Sequence, residues 1–322
     1  MATLGEFLSE HTAEGALYVA LAEGAVRCTA CGHRCRIPPG REGVCRVRFN
    51  RGGKLYVPRG YTAGLALDPI EKKPFFHVLP GCRTLSFGML GCDYHCPWCQ
   101  NWLTSQVLRD PRAGARPVPV EPEDIVEAAL REGAPVITST YNEPLITSEW
   151  AMEVFRLARP HGIRCAYVSN GNASPEVLDY LRHHVDFFKV DLKSFRAETY
   201  RRMGGTLKTV LASIRRLAGE GVWTEVVTLV VPGVNDSERE LAAMGGFLAS
   251  VSPDIPWHLT AFHGDYRMRD APHTPAELLR RAAGIGREAG LRFVYTGNVS
   301  GADGGQNTLC PGCGRLLVER SG

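Results

Sequence analysis

Thr84-Leu-Ser-Phe-Gly-Met-Leu90-Gly-Cys92-Asp-Tyr-His-Cys96-Pro-Trp-Cys99 joins an apolar, strand-like run to a loop whose three cysteines stand four and then three residues apart. Three thiolates hold three corners of a four-iron cluster and leave the fourth iron without a protein ligand. An open metal position is where chemistry takes place, as it is at catalytic zinc. On spacing alone the alternative is a zinc knuckle completed by His95 or Cys82.

Outward from this stretch, strand-like runs alternate with helical patterns. Strands are read at Pro135 to Tyr141, Arg164 to Ser169, Asp186 to Asp191, Trp223 to Val231, Trp257 to Phe262 and Leu291 to Tyr295. Helices are read at Glu121 to Arg131, Ser148 to Arg159, Ser174 to Arg182, Ser237 to Leu248 and Pro275 to Glu288, with further helical material through Leu217. Ser174 is a natural cap, followed by Pro175 at the first helical position. Such alternation predicts an α/β protein built from right-handed βαβ units on a parallel sheet. Six or seven units fit a partial (β/α)6-type barrel better than a closed eightfold one.

The domain reading is a cysteine-rich head over 1–80, the partial barrel over 81–300, and a CxxC tail over 301–322. The head contains a predicted hairpin, Arg46-Val-Arg-Phe49 and Lys54-Leu-Tyr-Val57, around the turn Asn50-Arg-Gly-Gly53.

In a parallel α/β barrel the active site lies at the C-terminal ends of the strands. The polar residues of this chain cluster there. Successive predicted strands end in the three cysteines, in Thr138-Ser-Thr-Tyr-Asn-Glu143, in Ser169-Asn170-Gly171, and in Lys189-Val-Asp191-Leu-Lys193. Later ones end in Pro232-Gly-Val-Asn235-Asp236 and Gly297-Asn298, while the strand with His258 runs on to His263. Each alone reads as a cap or turn. Seven in succession read as one site.

These residues resemble the radical S-adenosylmethionine superfamily. Gly91-Cys-Asp-Tyr-His-Cys-Pro-Trp-Cys-Gln-Asn101 has its CxxxCxxC spacing, with an aromatic residue before the last cysteine, and the likeness runs from Thr84 to Asn298. In detail the chain is similar to glycyl-radical-enzyme activases such as pyruvate formate-lyase activating enzyme, and to the radical member of the AmmeMemoRadiSam set. The stretches Asp68-Pro-Ile-Glu-Lys-Lys-Pro-Phe-Phe-His77-Val-Leu-Pro-Gly81 and Thr308-Leu-Cys-Pro-Gly-Cys-Gly314 carry that second likeness.

The resemblance implies that Cys92, Cys96 and Cys99 ligate a [4Fe-4S] cluster whose fourth iron is chelated by S-adenosylmethionine. An electron from the cluster would break the sulfonium bond and yield a 5′-deoxyadenosyl radical that takes a hydrogen atom from substrate. It implies an electron donor such as flavodoxin or ferredoxin, and a substrate that is a partner protein, a small molecule or an RNA base. Glu143, in Thr140-Tyr-Asn-Glu143 where the family has Gly-Gly-Glu, would accept from the S-adenosylmethionine amino group. Ser169 and Asn170 would bond the ribose hydroxyls, and Lys193 would pair with the carboxylate. Asp191 would hold a cation, a ribose hydroxyl or Lys193, and His258 would stand near the ribose.

The chain has eleven cysteines. Their grouping in a chain without a signal-peptide pattern points to metal rather than disulfides, and to the cytoplasm. Cys28, Cys31, Cys35 and Cys45 supply four thiolates, and Cys310 and Cys313 form a second knuckle. The readings are zinc on the first four, zinc or a cluster shared between the two ends, an auxiliary [4Fe-4S] cluster, or free thiols. Known two-cluster activases place their extra cysteines after the radical motif, whereas here they precede it.

Composition is that of a globular protein, with 44% hydrophobic and 22% charged residues. The net charge of +3, from 37 basic and 34 acidic residues, argues against nucleic acid or an acidic membrane as partner. The competing class is a non-catalytic zinc-binding module.

Overall fold

The computed structural model describes residues 3–299 and 304–320, and the expected boundary at 300/301 lies outside them. The chain divides into two compact units. The first holds the chain through Pro69, Cys82–His95 and Asn101–Phe188; the second holds Ile70–Gly81, Cys96–Gln100 and the chain from Lys189 onward.

In the first unit, β1 (Gly64–Pro69) pairs antiparallel with β2 (Arg83–Gly88) through six residue pairs, from Gly64 opposite Gly88 to Pro69 opposite Arg83. Then β3 (Val136–Ser139) lies parallel to β2, and β4 (Arg164–Ser169) parallel to β3. Parallel neighbours require a crossover, here α1 (Pro122–Arg131) and α2 (Ser148–Ala158). In α1, Glu121 and Asp124 form a capping box, Pro122 takes the first turn, and Ile125, Val126 and Ala129 form the buried face. All four residues of β3 are buried, as a strand covered on both faces requires. In α3 (Pro175–Leu181) the Ser174 hydroxyl accepts from the Val177 N–H at 3.1 Å, the cap read from sequence.

The strand β5 (Phe187–Asp191) starts in the first unit and ends in the second. There follow α4 (Ala197–Arg202), α5 (Leu207–Gly219), β6 (Trp223–Val230), α6 (Glu238–Val251), β7 (Trp257–Ala261), α7 (Ala276–Glu288) and β8 (Val294–Gly297). β6, β7 and β8 are parallel in that order. The last strand begins three residues later than expected. Leu291 is still held to the end of α7, its N–H bonded to the Gly286 carbonyl at 3.2 Å.

Two features of the head differ from the sequence reading. A hairpin is present, but its first strand is Phe49–Arg51 rather than Arg46–Phe49: Asn50 stands opposite Leu55, and the turn is Gly52-Gly53 alone. Both glycines have positive φ, 59° and 83°, which a two-residue hairpin turn demands. The Asn50 amide instead ties the hairpin to the Gly24 and Ile37 carbonyls, at 2.8 Å each. The second difference is β1 itself. Its Gly-Leu-Ala-Leu-Asp-Pro sequence lies in the head, outside the hairpin, where no strand was read.

Among the described residues no helix is long and apolar enough to cross a membrane.

Candidate functional site

The first unit gathers its site where β2, β3 and β4 end. Gly88 closes β2 against the loop that follows β3, and a Cβ there would meet the Thr140 carbonyl oxygen at 2.4 Å. Only glycine permits that approach. The chain then passes to Cys92, whose sulfur accepts the Tyr94 N–H at 3.3 Å.

Glu143, beyond β3, is buried. Its carboxylate accepts the Ser169 hydroxyl at 2.7 Å, the Asn170 backbone N–H at 2.7 Å and the Leu145 N–H at 3.1 Å. Burial first, and then the charge of Asp93, push its pKa up to about 8 against those donors. Asp93 is itself buried and accepts the side-chain amides of Asn170 at 2.7 Å and Asn172 at 2.8 Å. Ser169 and Asn170, read from sequence as ribose contacts, both stand at this pair of carboxylates. Their donors are already engaged by two carboxylates, because a buried anion must be hydrogen-bonded. The carbonyl oxygen of the Asn172 side chain is buried without a hydrogen-bond partner.

Glu143 makes stability depend on pH. The folded chain holds this proton more tightly than the unfolded chain, where the value is 4.5. The contribution is complete below about pH 4.5 and is lost as pH rises through about 8. Urea midpoints of the metal-free protein are expected to fall over that interval, and Glu143→Gln is expected to flatten the fall. Equal slopes in the two proteins would refute the assignment.

In the second unit, Asp191 at the end of β5 lies between Lys189 and Lys193, with Lys193 Nζ at 2.8 Å. Of the three roles read for Asp191, the structure shows the lysine pairing. Burial alone would raise its pKa, but the two ammonium groups hold the carboxyl well below its usual range. Lys193 is buried too. Burial would lower its pKa, yet Asp191 and then the sulfur of Cys96 hold it above the usual range, with Cys99 adding to the effect. The Lys193 ammonium thus acts on two of the three loop cysteines. Asn235, also named from sequence, fixes this segment by donating to the Lys193 and Leu229 carbonyls at 2.8 Å each.

His258, matched from sequence to a position near the ribose, is buried. It is the second residue of β7, at the N-terminal end of the strand, and its Nε2 lies 2.6 Å from Glu225 in β6. Glu225 also accepts the Phe76 and His77 N–H groups at 3.0 Å each and Trp223 Nε1 at 3.1 Å. Polar residues at that end of parallel strands serve stability. This pair anchors the 70–81 segment.

The head thiols of Cys28, Cys31 and Cys45 are buried, and Cys35 is half-buried. Burial pushes the Cys45 thiol up to about 12 and raises Cys31 and Cys35. In the tail, the N–H groups of Gly312 and Cys313 lower the half-buried Cys310 thiol. Among the described residues no three or more His, Cys, Asp or Glu side chains stand in a metal-holding arrangement. The metal readings of these six cysteines and of the three loop cysteines therefore rest on their spacing.

Asp93, Asn172 and Glu225 were missed from sequence. The signal for Asp93 was its place directly after Cys92, where it counted only as a spacer.

Residues 88–244 match the sequence model of the Radical SAM superfamily. The chain is 38% identical over 310 residues to uncharacterized protein MJ0808 of Methanocaldococcus jannaschii, covering 95% of this chain and 91% of that one. It is 27% identical over 207 residues to the pyruvate formate-lyase-activating enzyme of Streptococcus mutans, covering 59% and 76%. Among solved structures, Streptococcus suis SuiB bound to S-adenosylmethionine is similar at a TM-score of 0.50 and 11% identity, covering 66% and 49%. That likeness is one of fold, and the fold class is the α/β partial barrel expected from the strand–helix alternation.

Proposed function

Because the chain belongs to the radical SAM superfamily, which implies a [4Fe-4S] cluster and S-adenosylmethionine, we propose that Cys92, Cys96 and Cys99 hold that cluster in a working enzyme. When bound, the cluster and S-adenosylmethionine supply the electron and the 5′-deoxyadenosyl radical for hydrogen abstraction.

The donor set of the chain fits these groups. Three thiols within eight residues suit iron–sulfur ligation, and the Lys193 ammonium favours thiolate over thiol at Cys96 and Cys99. Glu143 is a buried carboxylate whose charge is disfavoured by burial and by Asp93, so a cationic amino group beside it would relieve both. Lys193 is the cation proposed for the ligand's carboxylate, oriented by Asp191. The spacing of the cysteines within the matched segment carries the reading.

The finer proposal is hydrogen abstraction from a glycine of a partner protein, with a flavodoxin or ferredoxin as electron donor. It draws support from the activating enzymes among the relatives. The test is anaerobic reconstitution with iron and sulfide, followed by dithionite and S-adenosylmethionine. A brown protein that releases 5′-deoxyadenosine is expected. A colourless protein with stoichiometric zinc and no cleavage would establish the non-catalytic zinc module instead.

A further inference from the structure

Asp93 is the residue after the first loop cysteine, and its side chain is fully buried. Its Oδ1 lies 3.8 Å from the Cys92 sulfur. Both carboxylate oxygens are held in place, Oδ1 by the Asn170 amide and Oδ2 by the Asn172 amide. Asn172 is braced in turn. Its N–H donates to Asn170 Oδ1 at 2.8 Å, and its carbonyl accepts the Gly32 N–H at 2.7 Å. Among the described residues the one ion-pair partner of Asp93 is His33, whose Nε2 stands 3.8 Å from Oδ2 and 3.2 Å from the Asp93 carbonyl.

A buried anion with no Arg or Lys against it is costly, and neutral amides are the least that can keep it there. An amide side chain, its oxygen toward Asn170, would fill the same place without burying a charge. The charge itself therefore calls for a reason. Net charge near a cluster and hydrogen bonds to its sulfurs set its potential, and a fixed negative charge makes it harder to reduce and a stronger reductant once reduced. Cleaving a sulfonium needs a strong reductant.

We propose that Asp93 is a positioning residue that holds a fixed negative charge beside Cys92 and lowers the reduction potential of the cluster bound there. The inference rests on the cluster assignment above. Asn170 and Asn172 fix the carboxylate against the sulfur, and His33 joins the loop to the head.

The readout is the midpoint potential of the reconstituted cluster, from an anaerobic redox titration followed by electron paramagnetic resonance without S-adenosylmethionine. Asp93→Asn is expected to shift the midpoint to a more positive value. Asn172→Ala disturbs the same packing but keeps the charge, and is expected to leave the midpoint unchanged or more negative. Should Asp93→Asn fail to load a cluster, the exchange Asp93→Asn with Asn172→Asp keeps the amide–carboxylate bond and moves the charge away from Cys92. That double variant is expected to load and to titrate more positive than the native protein. A midpoint unchanged or more negative in either Asp93 variant, a more positive one in Asn172→Ala, or a double variant without cluster would overturn the proposal. A native protein that binds no cluster would instead defeat the cluster assignment.

Discussion

Replacing Cys96 by alanine is expected to abolish reductive cleavage of S-adenosylmethionine while leaving the fold almost as stable as before. Cys96 is 7% exposed, and its sulfur packs 3.5 Å from the sulfur of Met203. As a packing group it is one small, soft side chain, so truncation costs on the order of 1 kcal/mol. As a ligand it has no substitute, because two remaining thiolates leave two irons of the cluster without protein. Lys193 sharpens the contrast. Its ammonium favours the thiolate that iron requires, and in the alanine variant it loses that partner but keeps Asp191. The checks are iron and sulfide content, 5′-deoxyadenosine release and the urea midpoint, with the exposed Cys313→Ser as control. Cleavage at the native rate by Cys96→Ala would refute the ligand assignment. Equal loss in Cys313→Ser would show that the effect is not specific to the loop.

Where the candidate residues stand along the fold was legible because their chemistry is written locally. The cysteine spacing, the Glu143 loop and the Asp191-Leu-Lys193 triplet are each contiguous, and periodicity placed each at a strand end. What escaped was non-local. Asp93 becomes meaningful only through Asn170 and Asn172, 77 and 79 residues away. The bonds of Ser169 and Asn170 to two carboxylates were hidden because sequence does not show which donors the fold engages. The bond of His258 to Glu225, 33 residues away, was hidden for a related reason. The strand starts at Trp257, as read, and His258 is its second residue, toward the N-terminal end. The β1 strand failed differently. It is the antiparallel edge partner of β2, and a short segment ending in Asp-Pro gives a weak strand signal.

Removing the guanidinium of Arg48 is expected to cost about 3–5 kcal/mol of folding stability, because it strands a buried carboxylate. Arg48 is 1% exposed and donates to Glu149 in two bonds of 2.7 and 2.8 Å, and to the Ile146 carbonyl at 3.0 Å. Glu149 also accepts the Leu17 N–H at 3.2 Å, so one carboxylate ties two segments of the head to the first turn of α2. Burial would raise the Glu149 pKa, but Arg48 outweighs it and holds the carboxyl below 4.5. In the native protein the pair therefore contributes fully above about pH 4.5, and the contribution is lost as pH falls through the lowered value. In Arg48→Met the dominant force on Glu149 is burial alone, its pKa rises, and the slope reverses: this variant loses stability as pH rises. The double variant Arg48→Met with Glu149→Leu has no stranded charge, and is expected to recover most of the loss and to lack the reversed slope. Urea denaturation of the metal-free single and double variants at pH 5 and pH 8 checks all three statements. A single variant within about 1 kcal/mol of the native protein would mean that the pair does not hold the head to α2.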